Sequence, residues 1–215
     1  MLSALMILMM KIDSVAAMPD RAGRYLVKFS DGNSMRLYRM TVEDFGLYAG
    51  MELSDEDVSN LRSAAGKMSA KMRAVRIVAA SSVSRKDLQQ RLVQKGESLQ
   101  QAKEAVEWLE ELHLVDDRQT AAQVVNRCIA KGYGISRAKQ ALYEKQIPKE
   151  FWEEALEDYP DQMESIMSFL HARILNTDDS GEVKRAIDAL IRRGHSYTTI
   201  QRALRQLGHD DFSEE

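Results

Sequence analysis

The sequence predicts a mainly α-helical protein: three tandem three-helix repeats forming an elongated curved rod, preceded by a small N-terminal cap of β-hairpin and short helices. Three observations carry that expectation. Only 3 Pro and 11 Gly occur in 215 residues, which points to helix. Apolar residues recur at i, i+3, i+4 and i+7 through the second half of the chain. The same caps and apolar positions return at successive offsets of 50 and 48 residues.

Composition narrows the class. At 44% hydrophobic and 29% charged, the chain can bury a core without disulfides and fits neither wholesale disorder nor a membrane protein. The single Cys128 excludes an internal disulfide, and no cysteine cluster is available for zinc; both fit a reducing compartment and a cytoplasmic location. Residues 1–20 open with an apolar run, but the first positive charge, Lys11, follows it, whereas a secretory signal places basic residues first. The run is also too short to span a membrane. A flexible leader is expected there, with Met18 as an alternative start.

Residues 21–66 form the expected cap. Tyr25, Val27 and Phe29 alternate with polar or outward positions, Asp31-Gly32-Asn33 offers a turn, and Met35 and Leu37 resume the alternation. Thr41 is expected to cap a short helix that Gly50 ends, and Ser54 another. Three repeats follow, over 67–115, 116–159 and 160–215 with its tail. In the first, Ser84 caps a helix striped by Leu88 and Leu92 and closed by Lys95-Gly96; Ser98 caps the next, striped by Ala102, Ala105, Val106 and Leu109. In the second, Ser136 is the expected cap, Ala138 and Leu142 the stripe, and Pro148 starts a helix bearing Trp152 and Leu156. In the third, Ala186 and Leu190 lead to Arg193-Gly194, then Ser196, Ile200 and Leu204. A single repeat is too small to bury its own stripe, so neighbours must stack.

Charge follows the repeat. Residues 69–95 hold seven bases against one acid, 118–149 seven against one, and 184–205 six against one. Between them, 97–117 holds one base against seven acids, and 150–182 one, Arg173, against ten. The net charge of -3 conceals this alternation. A solvated helix surface explains any one of these cations; the threefold recurrence suits a polyanion or a protein partner of alternating charge.

Catalytic patterns are missing from the sequence. Gly132-Tyr133-Gly134 lacks the rest of a phosphate loop, His113, His171, His195 and His209 form no ligand-spaced pair, and Cys128 sits on an apolar stripe as a buried thiol would. No catalytic residue, metal or cofactor is expected.

The stretch Lys131-Gly132-Tyr133-Gly134-Ile135-Ser136-Arg137-Ala138-Lys139, then Leu142 and Lys145-Gln146-Ile147-Pro148, resembles the RecX family of bacterial RecA regulators. So do Val106–Glu111 running into Leu114-Val115-Asp116-Asp117, and Leu190–Tyr197 after Lys184-Arg185. The resemblance spans about residues 73–207 and rests on the ordered set rather than on one motif. Gln146 and His113 stand where the family favours Gly, and Thr120 where an aromatic is usual.

The resemblance implies a non-enzymatic regulator, mainly an inhibitor, of the RecA filament on single-stranded DNA. It would lie in the filament groove and modulate ATPase, strand exchange and co-protease activity in recombination, DNA repair and the SOS response. Contact with duplex DNA is the further nucleic-acid option, with no membrane role and a monomeric state. Candidate contacts are Lys86, Arg91, Lys95, Arg127, Lys131, Tyr133, Arg137, Lys139, Lys145, Arg192 and Arg193. Tyr133 serves equally as a partner contact or as packing between repeats. Two rivals come from other classes. A helix-turn-helix transcription factor is disfavoured by the acidic third helices of the first two repeats; a generic protein-binding helical scaffold would have no nucleic-acid role.

Overall fold

A computed structural model describes residues 9–20, 22–176 and 179–208. They form two compact units. Residues up to Ser81 with Leu88–Leu114 make the first; Ser82–Asp87 with Val115 onward make the second.

The first unit begins with an antiparallel sheet of β1 (Met10–Ala17), β2 (Arg24–Phe29), β3 (Ser34–Tyr38) and β4 (Glu52–Leu53), in the order β3-β2-β1-β4. The expected hairpin is its β2–β3 half, with Val27 opposite Met35 and Tyr25 opposite Leu37. The flexible leader expected over 1–20 is corrected for residues 10–17. These form an inner strand that pairs Ile12 with Phe29 on one side and Met10 with Leu53 on the other. Burial is the reason: Ile12 is fully buried in the sheet's core, while Lys11 and Asp13 point outward. The rest of the apolar run, residues 1–8, lies outside the described residues.

Thr41 is not a cap. Helix α1 (Arg39–Asp44) continues directly from Tyr38, which leaves Thr41 buried inside it. Helix α2 (Asp55–Ala80) then runs unbroken through the expected boundary at 66/67. Ser54 and Asp57 start it with a reciprocal capping box. Its first turns close the sheet's core through Val58 and Leu61; later turns bury Ala70 and Ala74, and the helix packs on α4 (Leu99–Glu111). Gly66 leaves room for the Gln101 side chain of α4.

The three-helix repeats are present. Helix α3 (Arg85–Gln94) follows α2 and precedes α4 along the chain. Helix α5 (Asp117–Ala130) leads to α6 (Ile135–Glu144), then a 3-10 turn at Lys149–Phe151 and α7 (Trp152–Leu156). The third repeat is α8 (Met163–Arg173), α9 (Ser180–Arg192) and α10 (Tyr197–Gln206). Each middle helix ends in the same turn. Leu92, Leu142 and Leu190 are fully buried, and their carbonyls accept from the N–H groups of Glu97, Ile147 and His195, each at 3.1 Å. The residue before each of these donors is left-handed: Gly96 at φ 93°, Gln146 at 56° and Gly194 at 86°. His113, closing α4, has φ 55°. The two departures from glycine thus fall on positions that need positive φ.

In the second unit the turn also joins repeats. Helix α6 has no side-chain cap, so the expectation of a Ser136 cap is corrected. Gly134 N–H donates instead to Arg193 O at 2.9 Å, and Ser136 N–H to Gly194 O at 3.3 Å. The carbonyl end of α9 supplies the acceptors that the first amides of α6 need. A Cβ on Gly134 would overlap the Gly194 carbonyl, and one on Gly194 the Arg137 backbone. The same register is used one repeat earlier: Ser84 Oγ donates to Lys145 O at 2.7 Å while accepting from Asp87 N–H at 3.1 Å. In the first unit, Lys95 O accepts from Arg73 Nη1 at 2.9 Å.

His195 is buried at this junction, its Nε2 3.1 Å from Gly132 O and its Nδ1 3.0 Å from the side-chain amide oxygen of Gln162. Turning that amide end for end lets its NH2 donate to the neutral ring while Nε2–H donates to Gly132. Burial pushes the imidazole pKa down; the bond to Gly132 opposes the shift and the nearby Arg193 charge adds to it. The register equivalents of His195 are Ile147, apolar, and Glu97, which accepts from Ser69 Oγ at 3.1 Å and pairs with Arg73 at 2.8 Å.

Three outcomes are expected. Replacing His113 by Gly removes left-handed strain of about 1 kcal/mol and raises the melting temperature by roughly 2–4 °C in thermal denaturation. Gly134→Ala separates α6 from the end of α9 and destabilises by roughly 1–3 kcal/mol, read in the same assay. The depressed His195 pKa means that the folded state binds fewer protons than the unfolded one, whose imidazole titrates near 6.5. Its stabilisation is complete above that pH and declines as pH falls towards the folded value. Melting curves at pH 7.5 and 5.5 should therefore differ less for His195→Ile than for the unsubstituted chain.

Candidate nucleic-acid interface

The Lys131-Gly132-Tyr133-Gly134 turn is held at successive atoms. Gly132 takes φ 60°, its carbonyl faces His195, and Tyr133 O accepts from Tyr159 O–H at 2.7 Å. Burial pushes the Tyr159 phenol up to about 12, so it remains a donor. With its backbone fixed, Tyr133 presents a half-buried ring with Lys131 Nζ 5.9 Å and the Arg193 guanidinium 6.0 Å from the centroid. Arg193 also lies 4.7 Å from the Phe169 centroid, and Arg173 5.4 Å. These distances are those of cation–π contacts.

Tyr133, Arg137, Phe169, Arg173, Ala189, Arg192 and Arg193 line one open cavity of about 380 Å³. Among the described residues, no carboxylate lines it. Arg137 pairs with Glu144 of its own helix at 3.1 Å, but among the described residues no carboxylate pairs with Arg173, Arg192 or Arg193. Such an arrangement can receive an anion: the rings orient guanidinium planes, and the planes carry donors at their edges.

The structure thus brings together five of the eleven candidates: Tyr133, Arg137, Arg192 and Arg193 around the cavity, with Lys131 on the Tyr133 ring. Lys139 lies elsewhere. It lines a larger cleft of about 870 Å³ with Lys149, Trp152, Leu156 and four carboxylates, Glu150, Glu153, Glu154 and Glu157. Lys145 Nζ is 3.5 Å from Ser82 O, next to the Ser84 junction. Lys86 and Lys95 are exposed at the two ends of α3, where Arg91 is half-buried, and Arg127 is exposed on α5. Three cavity residues are not among the candidates: Ala189, Phe169 and Arg173. Phe169 and Arg173 stand four apart on α8, beside the Met163, Ile166, Met167 and Leu170 stripe, and in the sequence Arg173 is the lone base of an acidic band.

The charged bands also meet one another within repeats. Lys67 pairs with Glu104 at 3.1 Å, Arg73 with Glu97 at 2.8 Å and Arg118 with Glu154 at 3.1 Å, each joining a first helix to the third helix or to the turn before it. Part of the alternation is therefore internal neutralisation. Cys128 is buried, and burial pushes its thiol pKa up, which disfavours the reactive thiolate. Among the described residues, no group of three His, Cys, Asp or Glu could hold a metal ion, and no helix is long and apolar enough to cross a membrane.

Comparison with known proteins bears on the family. Residues 116–156 match the family model for RecX, second three-helix domain. A crystal structure of regulatory protein RecX superposes with a TM-score of 0.66 at 19% identity, covering 92% of this chain and 99% of that one. A crystal structure of RecX from Lactobacillus salivarius gives 0.58 at 20% identity, covering 67% of this chain and 98% of that one. No curated protein matches the chain. The matched segment contains α5, α6 and the Lys131–Lys139 stretch whose residues first carried the resemblance. Residues 116–156 are thus similar to the second three-helix domain of RecX, in a chain whose fold is that of solved RecX structures.

Proposed function

We propose that this protein is a non-enzymatic regulator of RecA, mainly an inhibitor, acting on the RecA filament on single-stranded DNA. One observation carries the reading. The segment that matches the RecX family is also the one whose Tyr133 and Arg137 help to line a cationic cavity that, among the described residues, no carboxylate lines. A chain of this family with an anion-receptive surface suits a filament of protein and polyanion.

A second feature supports a partner built of repeating subunits. Val93, Tyr143 and Ile191 occupy one register in the three repeats and are 41%, 68% and 47% exposed. Each stands two residues before a cation: Lys95, Lys145 or Arg193. Scattered exposed apolar side chains need no explanation, but one per repeat in the same register, beside a cation, matches a partner that presents an apolar and acidic element repeatedly. The helix-turn-helix alternative is weaker: Glu104, Glu107, Glu110 and Glu111 on α4 would meet major-groove phosphates with like charge. A generic scaffold leaves the convergent arginines without a role.

The test is RecA's single-strand-DNA-dependent ATP hydrolysis with this protein titrated well below the RecA concentration. Inhibition is expected, and an unchanged rate at molar excess would refute the reading. The double substitution Arg137→Glu, Lys139→Glu should raise the concentration for half-inhibition at least tenfold, with the helical circular dichroism retained.

A further inference from the structure

We infer that the cavity lined by Tyr133, Phe169 and Arg173, Arg192 and Arg193 is a phosphodiester subsite for single-stranded nucleic acid, engaged by this chain directly and without RecA. The inference deepens the reading above and rests on its placing the chain against a polyanion, yet its test needs no RecA.

Several arginines elsewhere in the molecule are neutralised one at a time. Arg24, Arg39, Arg73 and Arg118 each pair with a carboxylate, at 2.7, 2.6, 2.8 and 3.1 Å. What sets this cavity apart is convergence: four guanidiniums line it, and among the described residues no carboxylate pairs with Arg173, Arg192 or Arg193. Like charges brought together repel; helix ends and ring faces offset part of that repulsion, and an anion in the cavity would offset more. Arg193 and Arg173 stack on aromatic rings, 4.7 and 5.4 Å from the Phe169 centroid. Stacking uses the faces of a guanidinium and leaves its in-plane N–H donors, which match the oxygens of a phosphate.

The rings select the kind of polyanion. Cations interleaved with aromatic side chains are the pattern that follows a single strand, whose unpaired bases offer apolar faces next to each phosphate. In a duplex those faces are stacked away inside. A volume of about 380 Å³ in an open cavity suits one nucleotide-sized group of a strand that enters and leaves. An acidic peptide offers carboxylates but no flat faces between them.

Fluorescence anisotropy of a labelled oligothymidylate, titrated with the full chain alone, tests this. Binding is expected, and Arg173→Gln with Arg192→Gln should weaken it at least tenfold. The slope of log affinity against log salt should become shallower by about 0.7, the loss of one phosphate contact on a single strand. Phe169→Leu, which removes a stacking face but no charge, should weaken binding severalfold. Lys28→Gln with Arg36→Gln, an equal charge change on the N-terminal sheet, should leave binding within twofold. Equal losses from both double substitutions would overturn the subsite in favour of diffuse attraction. So would polyglutamate binding as tightly as the oligonucleotide, which would indicate an acidic protein ligand. Displacement by low-millimolar inorganic phosphate would instead make the cavity a site for the free ion and overturn the strand. Inhibition of RecA by a Gln double variant that no longer binds the oligonucleotide would uphold both statements. Oligonucleotide binding without any effect on RecA would remove only the broader reading.

Discussion

The hydrogen bond from Gly134 N–H to Arg193 O is the constraint on which the second unit depends. A helix start leaves amides without acceptors, and a helix end leaves carbonyls without donors. Here one deficit satisfies the other, with the partial charges of the two termini attracting as well. The geometry requires Gly194 to turn the chain at φ 86° and requires both glycines to lack a Cβ. Once it forms, Leu190 is sealed beneath it, His195 reaches Gly132, and Tyr133 of one repeat and Arg193 of the next are fixed on one cavity. The cavity is thus a consequence of how repeats join, not an addition to their surface.

Holding several cations together has to be tolerated in the unbound chain, and their positions explain how. Lys131 is the C-cap of α5, Arg173 the last residue of α8, and Arg192 and Arg193 end α9. Helix C-termini carry partial negative charge and favour cations by about 0.3–1 kcal/mol each at exposed sites. The faces of Tyr133 and Phe169 contribute further. Neither source consumes the donor edges of the guanidiniums. Carboxylates could have neutralised these cations more simply, as Glu154 does for Arg118, and would have occupied those edges.

What was legible in the sequence was whatever repeats. Offsets of 50 and 48 located the buried Leu92, Leu142 and Leu190, and the Ser98 and Ser196 caps, because register is a local property of each helix hairpin. The strand at residues 10–17 was hidden by the apolar run before it, although Met10, Lys11, Ile12 and Asp13 do alternate. The continuity of α2 was hidden because its first turns serve a sheet and its last turns a helix, so no single stripe runs along it. Ser136 looked like a cap because caps are usually side chains; no pattern within one segment announces that the acceptor comes from a carbonyl 59 residues on. Phe169 and Arg173 escaped for the same reason, since their role comes from neighbours on α6 and α9.

The two junctions of the second unit explain why glutamine is accepted at 146 and glycine stands at 194. At the earlier junction the donor is the Ser84 hydroxyl, which reaches Lys145 O from the far side of its own Cβ and keeps the two backbones apart. At the later one the donor is the Gly134 backbone itself, and the chains touch so closely that any Cβ at either glycine would overlap the other strand of backbone. A side-chain donor leaves space for a side chain across the junction; a backbone donor leaves none. Gln146 can therefore bear its left-handed φ of 56° as local strain alone, whereas a side chain at 194 would add steric exclusion to strain. The choice of residue at one turn is set by the kind of donor at the other, and the tighter pairing is the one that carries the cavity.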